Sequence, residues 1–477
     1  MIRFYFLFIA CQLLAGSITF AQVYQPATAA TVFTTEDLED LLMAHHPVVK
    51  QTQLLGAAAR AQVAQALGKF DPTIYAAFQN KHFGNTNYYN EWNSELKVPL
   101  WLAGADLKVA YDRNVGAYAN PKTVTNDAGL SAVGLSIPLG QGFFIDNRRN
   151  TLWQAKAMLN YAEAEQIKQI NTIWLQAISD YWNWYYAYRQ YRLLYEGVDL
   201  AQTRFQAIRE QVLLGDKPAI DSVEAAITIQ ERKMELAKYE ITLQNMRLLL
   251  SNHLWNERQL PVELPGNAIP DTVDHAKLLP EKKVLEKLLD QVPQIHPELL
   301  KLESKGQQLL IEERYRKEML KPKLNVTGTL ISSRNRFNEF IPAAYDFNWS
   351  NYKVGVDFVF PIFLRAERGK LKEVRIKQEQ LRYDQLITDR NIRNDVTMKY
   401  NDLTAYSEQI RLQVKNIADQ EVLLRGEVQK FNLGETTLFL INSRESKLID
   451  MQIKRENLVI SYQKALAELY YKAGTRL

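Results

Sequence analysis

The chain has 477 residues, with 58 Lys and Arg against 54 Asp and Glu, and its net charge of +4 is too small to argue for a nucleic-acid partner. Apolar residues make up 47%, and 20 Gly with 16 Pro exclude a disordered or fibrous chain. One cysteine, Cys11, excludes a disulfide framework and a cysteine-based metal site.

Arg3 precedes an apolar run from Phe4 to Ala15, and Thr19-Phe20-Ala21 offers a small-x-small cleavage site. This is the pattern of a secretory signal peptide over residues 1–21, with a mature chain starting at Gln22. Ile9-Ala10-Cys11 comes too early, with more apolar residues after it, to serve as a lipoprotein box. No other segment approaches the roughly 20 apolar residues of a spanning helix. An exported chain of this kind is either water-soluble or crosses an outer membrane as strands.

The first half, residues 22–256, opens a helix at His46-Pro47 and then becomes strand-like within 70–140. Thr73–Asn80 and Ala132–Pro138 are its principal strands, with Glu95–Leu102 and Asp106–Arg113 as an added hairpin. Tyr88, Tyr89, Trp92 and Trp101 would suit an interfacial aromatic belt there. A helix from Asn147 to Val212 goes out, and one from Ile220 to His253 comes back, a helical hairpin over 147–253. In the aromatic stretch Tyr181, Trp182, Trp184, Tyr185, Tyr186, Tyr188, Tyr191 and Tyr195, Tyr181, Tyr185 and Tyr188 share one helix face and Trp184, Tyr188, Tyr191 and Tyr195 overlap it, which argues for helix packing rather than a ligand site. Pro261, Pro265, Gly266, Pro270 and Pro280 mark an irregular linker over 257–285.

The second half, residues 286–477, repeats the order, with strands within 322–363 and a hairpin over 366–473. Leu324, Val326, Gly328 and Leu330 alternate with polar residues, as do Tyr352, Val354, Val356, Phe358 and Phe360. Period two with aromatic ends fits a barrel strand with lipid outside and water inside. From Ala366 to Asn432 runs a helix of about 100 Å at 1.5 Å per residue. Along it Val396, Tyr400, Leu403, Ser407, Ile410, Val414, Ile417, Glu421, Leu424, Val428 and Phe431 form a coiled-coil seam. Its partner is Leu438–Tyr471.

The halves are copies of one another. His46-Pro47 recurs as His296-Pro297 and Pro72 as Pro322, both at an offset of 250. Val133–Pro138 recurs as Val356–Pro361 and Leu213-Leu214-Gly215-Asp216 as Asn432-Leu433-Gly434-Glu435, at offsets of 223 and 219. The first copy therefore holds 27 extra residues between Pro72 and Pro138.

A signal peptide, two copies of helix, strands, long helix, turn and helix, and glycine-centred hairpin tips resemble the TolC-like outer-membrane efflux proteins (outer membrane factors). The resemblance spans nearly all of the mature chain. It implies a mainly α fold with a small transmembrane β part: a homotrimer with a joint β-barrel in outer-membrane lipid and an α-helical barrel crossing the periplasm. Four strands per chain cannot close a barrel, since bacterial barrels start at about eight, whereas three chains of four give twelve. The added hairpin is read as an extracellular extension, because the second copy has no counterpart; if both its strands joined the barrel, each chain would supply six.

The six histidines, His45, His46, His82, His253, His275 and His296, form no i, i+4 metal pair, and His45-His46 before Pro47 reads as a helix start. No nucleophile elbow, Walker loop or dinucleotide fingerprint appears, so the expectation is a non-enzyme without cofactor or metal. Two regions carry the functional expectation. The hairpin tips, Leu213, Leu214, Gly215, Asp216 and Lys217 with Leu433, Gly434, Glu435, Thr436 and Thr437, would meet a periplasmic adaptor in this family. Around a threefold axis, Asp216, Asp221, Glu427 or Glu435 would form an acidic ring at the tunnel entrance. Function is read as the passive channel of a tripartite efflux or type I secretion system, fed by an adaptor and an inner-membrane transporter. Its rival is a soluble periplasmic coiled-coil scaffold or adaptor.

Overall fold

The computed structural model describes residues 31–273, 278, 281–333 and 349–476. The expected signal peptide with Cys11, and also His275 and Pro280, lie outside the described residues. In chain order come β1 (Thr31–Phe33), α1 (Thr35–His45), α2 (Pro47–Leu67), β2 (Thr73–Phe83), β3 (Thr86–Pro99), β4 (Asp106–Val115), β5 (Leu130–Pro138), α3 (Asn147–Leu213) and α4 (Ala219–Ser251). Then follow β6 (Ala268–Pro270), α5 (Lys282–Ile295), α6 (Pro297–Glu318), β7 (Lys323–Ser333), β8 (Tyr352–Val359), α7 (Arg365–Asn432) and α8 (Leu438–Lys472).

The duplicated His-Pro is a helix-starting device. His46 and His296 are N-caps whose Nδ1 atoms accept the backbone N–H of Val48 and of Glu298, each at 3.2 Å. Pro47 and Pro297 fill the first helical position, where the missing N–H has no partner to lose. Both imidazoles must stay neutral at Nδ1 to accept these bonds. Burial pushes both below the ordinary histidine value: His46 with help from the neighbouring His253, and His296 to about 4.

Four helices lie abreast. α3 and α7, of 67 and 68 residues, run the whole length, about 100 Å each at 1.5 Å per residue. α2 and α6 pack beside their first halves, α4 and α8 beside their second halves. α4 ends where α2 begins, with the His253 and His46 rings stacked 6.1 Å apart. α8 likewise ends where α6 begins, Gly474 abutting His296 so closely that a Cβ would come within 2.7 Å of its Cα. Two continuous rods thus alternate with two rods made of helices set end to end.

The largest core sits at this junction. Tyr181, Trp182, Trp184 and Tyr185 are buried there against Leu38, Leu42, Leu250 and Ile460, and the Tyr181 hydroxyl donates to the Phe33 carbonyl at 2.9 Å. Tyr195, by contrast, is half exposed, beyond the packed stretch.

The seam on α7 is real, with Tyr400 packed where expected, but it is shifted by one residue at 413 and 420. Val396, Leu403, Ile410 and Ile417 are buried at strict seven-residue spacing. Val414, expected inside, is 44% exposed, and the position beside it is taken by Gln413. The amides of Gln413 and Gln420 donate to the Met451 and Arg444 carbonyls of α8 at 2.8 and 2.9 Å. Each glutamine remains polar in a buried seam because it bonds across the hairpin.

One antiparallel sheet caps the helices, in the order β2-β3-β4-β5-β7-β8. It has six strands where four were expected, and the added hairpin β3–β4 lies inside the sheet rather than projecting from it. β3 and β4 are hydrogen-bonded to each other and to β2 and β5 on either side. Their connecting turn faces the helices: Arg148 at the start of α3 donates to Asp106 Oδ1 at 2.7 Å and to the Gly104 carbonyl at 2.9 Å. Elsewhere β1 and β6 pair in parallel, tying the start of the described chain to the linker.

Candidate functional site

The sheet has two unlike faces, set by the period of two. Cross-strand partners form a single row through all six strands: Ile74, Leu96, Val109, Val133, Leu330 and Tyr352. Every member is apolar or aromatic. On β8 the same face carries Val354, Val356 and Phe358, each more than 60% exposed in the single chain. One residue along, the opposite face presents Thr73, Lys97, Lys108, Gly134, Thr329 and Lys353 in register. Lys97 pairs with Asp106 and Lys108 with Glu95, both at 3.2 Å, on that polar face.

Exposed aromatics gather at both ends of the sheet. Tyr88 stacks with Tyr118 at 4.6 Å and lies 6.0 Å from Phe83 at the end away from the helices, while Trp92 meets Phe78 at 5.9 Å midway along the strands. Trp101 lies against Phe70 at 5.2 Å at the helical end, where Phe360 and Phe363 are also exposed. A lipid-facing surface carries aromatic girdles of this kind at its two interfaces. Strand lengths of 8 to 14 residues are near the 9–11 or so that a tilted spanning strand needs.

At the other end of the molecule the two tips are built alike. Gly215 and Gly434 take φ of +84° and +79°. Behind each, the helix closes with the same pair of bonds: Gly215 N–H to the Val212 carbonyl at 3.1 Å and Asp216 N–H to Gln211 at 2.9 Å, then Gly434 to Phe431 at 3.0 Å and Glu435 to Lys430 at 2.9 Å. This is the Schellman closure, which places glycine in the left-handed region and satisfies the last carbonyls. The duplicated Leu-Gly-acid motif is therefore a helix stop in both halves. No atom lies within 4 Å of where a Cβ would stand at either glycine, so the tips are open to a partner's backbone.

The structure brings the two tips together. Ile208, Ala225 and Leu438 form a small core beneath them, flanked by Phe205, Val212 and Phe431, and the Lys217 ammonium lies 4.1 Å above the Phe431 ring. Leu213, Leu214 and Leu433 remain more than 70% exposed. Among the acidic residues, Asp216 and Glu435 are exposed at matching positions of the two turns, and Asp221 is half-buried on the first turn of α4. Glu427 is held differently: it accepts the Thr436 hydroxyl at 2.6 Å.

A charged cluster behind the tips escaped the sequence reading. Glu445 on α8, 2% exposed, accepts a two-pronged bond from Arg204 of α3 at 2.8 and 3.0 Å and another from Arg232 of α4. Arg232 also donates to the Gly197 carbonyl at 2.7 Å. Burial works to raise the Glu445 carboxyl, but the bonds and charges of the two arginines outweigh it and hold it below the usual glutamate value. Only the fold places these three residues, 28 and 213 positions apart, side by side; no local pattern announces them. Among the described residues no group of three or more His, Cys, Asp or Glu is placed to hold a metal ion.

No protein-family model and no curated protein sequence matches the chain. Solved structures do. Over 95% of this chain and 96% of the other, it is similar to CusC, described in connection with transmembrane channel formation, with 16% identity and a TM-score of 0.66. It is similar to the Neisseria gonorrhoeae MtrE outer-membrane channel in its open state over 92% and 89%, with 15% identity and a TM-score of 0.63. The outer-membrane protein VceC from Vibrio cholerae matches over 93% and 96%, with 13% identity and a TM-score of 0.61. The chain thus has the fold of the TolC-like outer-membrane channels.

Proposed function

We propose that the protein is the outer-membrane channel of a tripartite export assembly, a homotrimer that conducts solutes passively from the periplasmic side to the exterior. The observation that carries this reading is the apolar row from Ile74 to Tyr352, partly to largely exposed across a sheet whose opposite face is polar and carries ion pairs. A water-soluble scaffold would leave that row in water, at roughly 25 cal/mol per Å² of apolar surface. In lipid the row is satisfied, but the sheet's ends are not: unpaired strand edges in hydrocarbon are untenable, so the strands must close through other copies. Three copies of four helices abreast would continue the wall as a twelve-helix tube.

The open tips at Gly215 and Gly434, ringed by exposed leucines, are the surface offered to a periplasmic adaptor, which would couple the tube to an inner-membrane transporter. Asp216, Asp221 and Glu435 would supply the acidic entrance. No step here needs bond chemistry, and the channel proteins of the same fold support a conduit rather than an enzyme. The test is fractionation followed by reconstitution. The protein should stay with outer membranes until detergent is added, and then give discrete conductance steps in a planar bilayer. Recovery in the periplasmic extract would favour the scaffold.

A further inference from the structure

We propose that all six strands of each chain line the membrane wall, so that the trimer encloses eighteen strands rather than twelve, and that its intermolecular seam joins β8 of one copy to β2 of the next. This rests on the channel reading above.

Three observations carry it. First, the added strands are two-faced in the same sense as the others. Leu96 and Val109 continue the apolar row without a break, while Lys97, Lys108, Glu95 and Asp106 lie on the charged face. A hairpin projecting into water would need no apolar face, and one lying outside the wall would put its ion pairs in hydrocarbon. Only a place within the wall gives each face its own solvent.

Second, β3 and β4 occupy the interior of the sheet, between β2 and β5, with backbone bonds on both sides. Among the described residues, the sheet's two ends are β2 and β8. β2 leaves α2 and runs away from the helices, and β8 runs back into α7. A β8-to-β2 seam between copies is therefore antiparallel, like every other pairing in the sheet.

Third, the widths agree. Six strands about 4.8 Å apart, tilted by ~40° as barrel strands are, occupy roughly 38 Å of circumference. The four helices below occupy about 32–40 Å at the usual 8–10 Å spacing. Four strands would cover only ~25 Å. Since barrel diameter grows about linearly with strand number, the eighteen-stranded wall would be ~1.5 times as wide as a twelve-stranded one.

Disulfide trapping in outer membranes tests the seam, because the one natural cysteine lies in the expected leader. Val354→Cys or Val356→Cys on β8 is combined with Ile74→Cys, Ala76→Cys or Phe78→Cys on β2, and separately with Leu107→Cys, Val109→Cys or Tyr111→Cys on β4. All twelve positions pairs share the apolar face. Covalent dimers and trimers from at least one β8–β2 pair, and none from β8–β4 pairs, are expected. Linkage of β8 to β4, or of β8 to neither strand, overturns the proposal while leaving the channel reading intact. Imaging of the unmodified protein in detergent decides the same question without substitutions: eighteen strands support it and twelve overturn it. A monomer free of the membrane would instead remove the channel reading itself.

Discussion

Removing the Glu445 carboxylate should loosen the lower third of the helical hairpins. Glu445 is the shared acceptor of Arg204 and Arg232 and so joins α8 to both α3 and α4. In Glu445→Ala, Arg232 at 5% exposure keeps only the Gly197 carbonyl and loses its counter-charge. Arg204, whose side chain is 19% exposed, can turn towards water. Breaking a buried pair from one side costs about 3–5 kcal/mol, and the partial escape of Arg204 argues for the lower end. At ~1.4 kcal/mol per tenfold, 3 kcal/mol corresponds to amide exchange roughly 100-fold faster. Hydrogen exchange of the protein in detergent would localise the loss to 225–232 and 441–449. Replacing all three residues with apolar ones of similar volume should restore most of the protection, since the desolvation cost disappears with the charges. The carboxylate's contribution is present above the ordinary glutamate value of 4.5 and is lost as pH falls through its lower folded value. Protection in Glu445→Ala within threefold of the parent would refute the claim that this cluster binds the two hairpins.

Four further outcomes follow from the geometry. The His296 cap works only when neutral, and its folded value near 4 lies below the ordinary 6.5, so acid favours the unfolded chain between those limits. Melting temperature should therefore fall from pH 7 to 5, less steeply in a His46→Asn, His296→Asn variant whose caps do not titrate. Gly434→Leu strains the left-handed turn by about 1–2 kcal/mol, a local cost that the open tip does not add to, so trimer yield should hold while a partner's backbone is kept away and export is abolished; loss of the trimer would reduce the glycine to a helix stop. Glu435→Lys with Asp221→Lys should lower cation preference in single-channel recordings, and unchanged selectivity would dismiss the acidic ring. Leu403→Ala, at a 1% exposed seam position, should cost about 2–5 kcal/mol, whereas Val414→Ala should stay near zero in the same denaturation assay.

Much of the fold could be read because its largest parts are governed by local rules. Helix α7 contains no proline and runs from Arg365 to Asn432, one residue from the expected start, and the glycines at 215 and 434 stop their helices where expected. The His-Pro pairs and the tips are readable for the same reason: capping is decided within a few residues. The strand count was not readable. Duplication supplies no counterpart for the first copy's extra residues, but strand pairing depends on register and facing pattern rather than on repetition. Leu96 and Val109 carry that pattern only when aligned with Val133, 24 residues beyond Val109.

The seam and the buried cluster show where pattern reading stops. Hydrophobicity alone selected Val414, yet the helix turned its neighbour Gln413 inward, because the amide finds a carbonyl acceptor across the hairpin that offsets its burial. Glu445 is the stronger case, since a charged residue on a helix surface is by default solvated. What buries it is the convergence of three helices at one level, and that convergence depends on α8 lying between α3 and α7 rather than beside α7 alone. The same placement makes the tip a joint product of both halves: Leu438 packs with Ile208 and Ala225, and Lys217 reaches over Phe431. A partner that grips one tip therefore grips the other, and motion of one hairpin against its neighbour must first strain the Arg204–Glu445–Arg232 contact that holds them level.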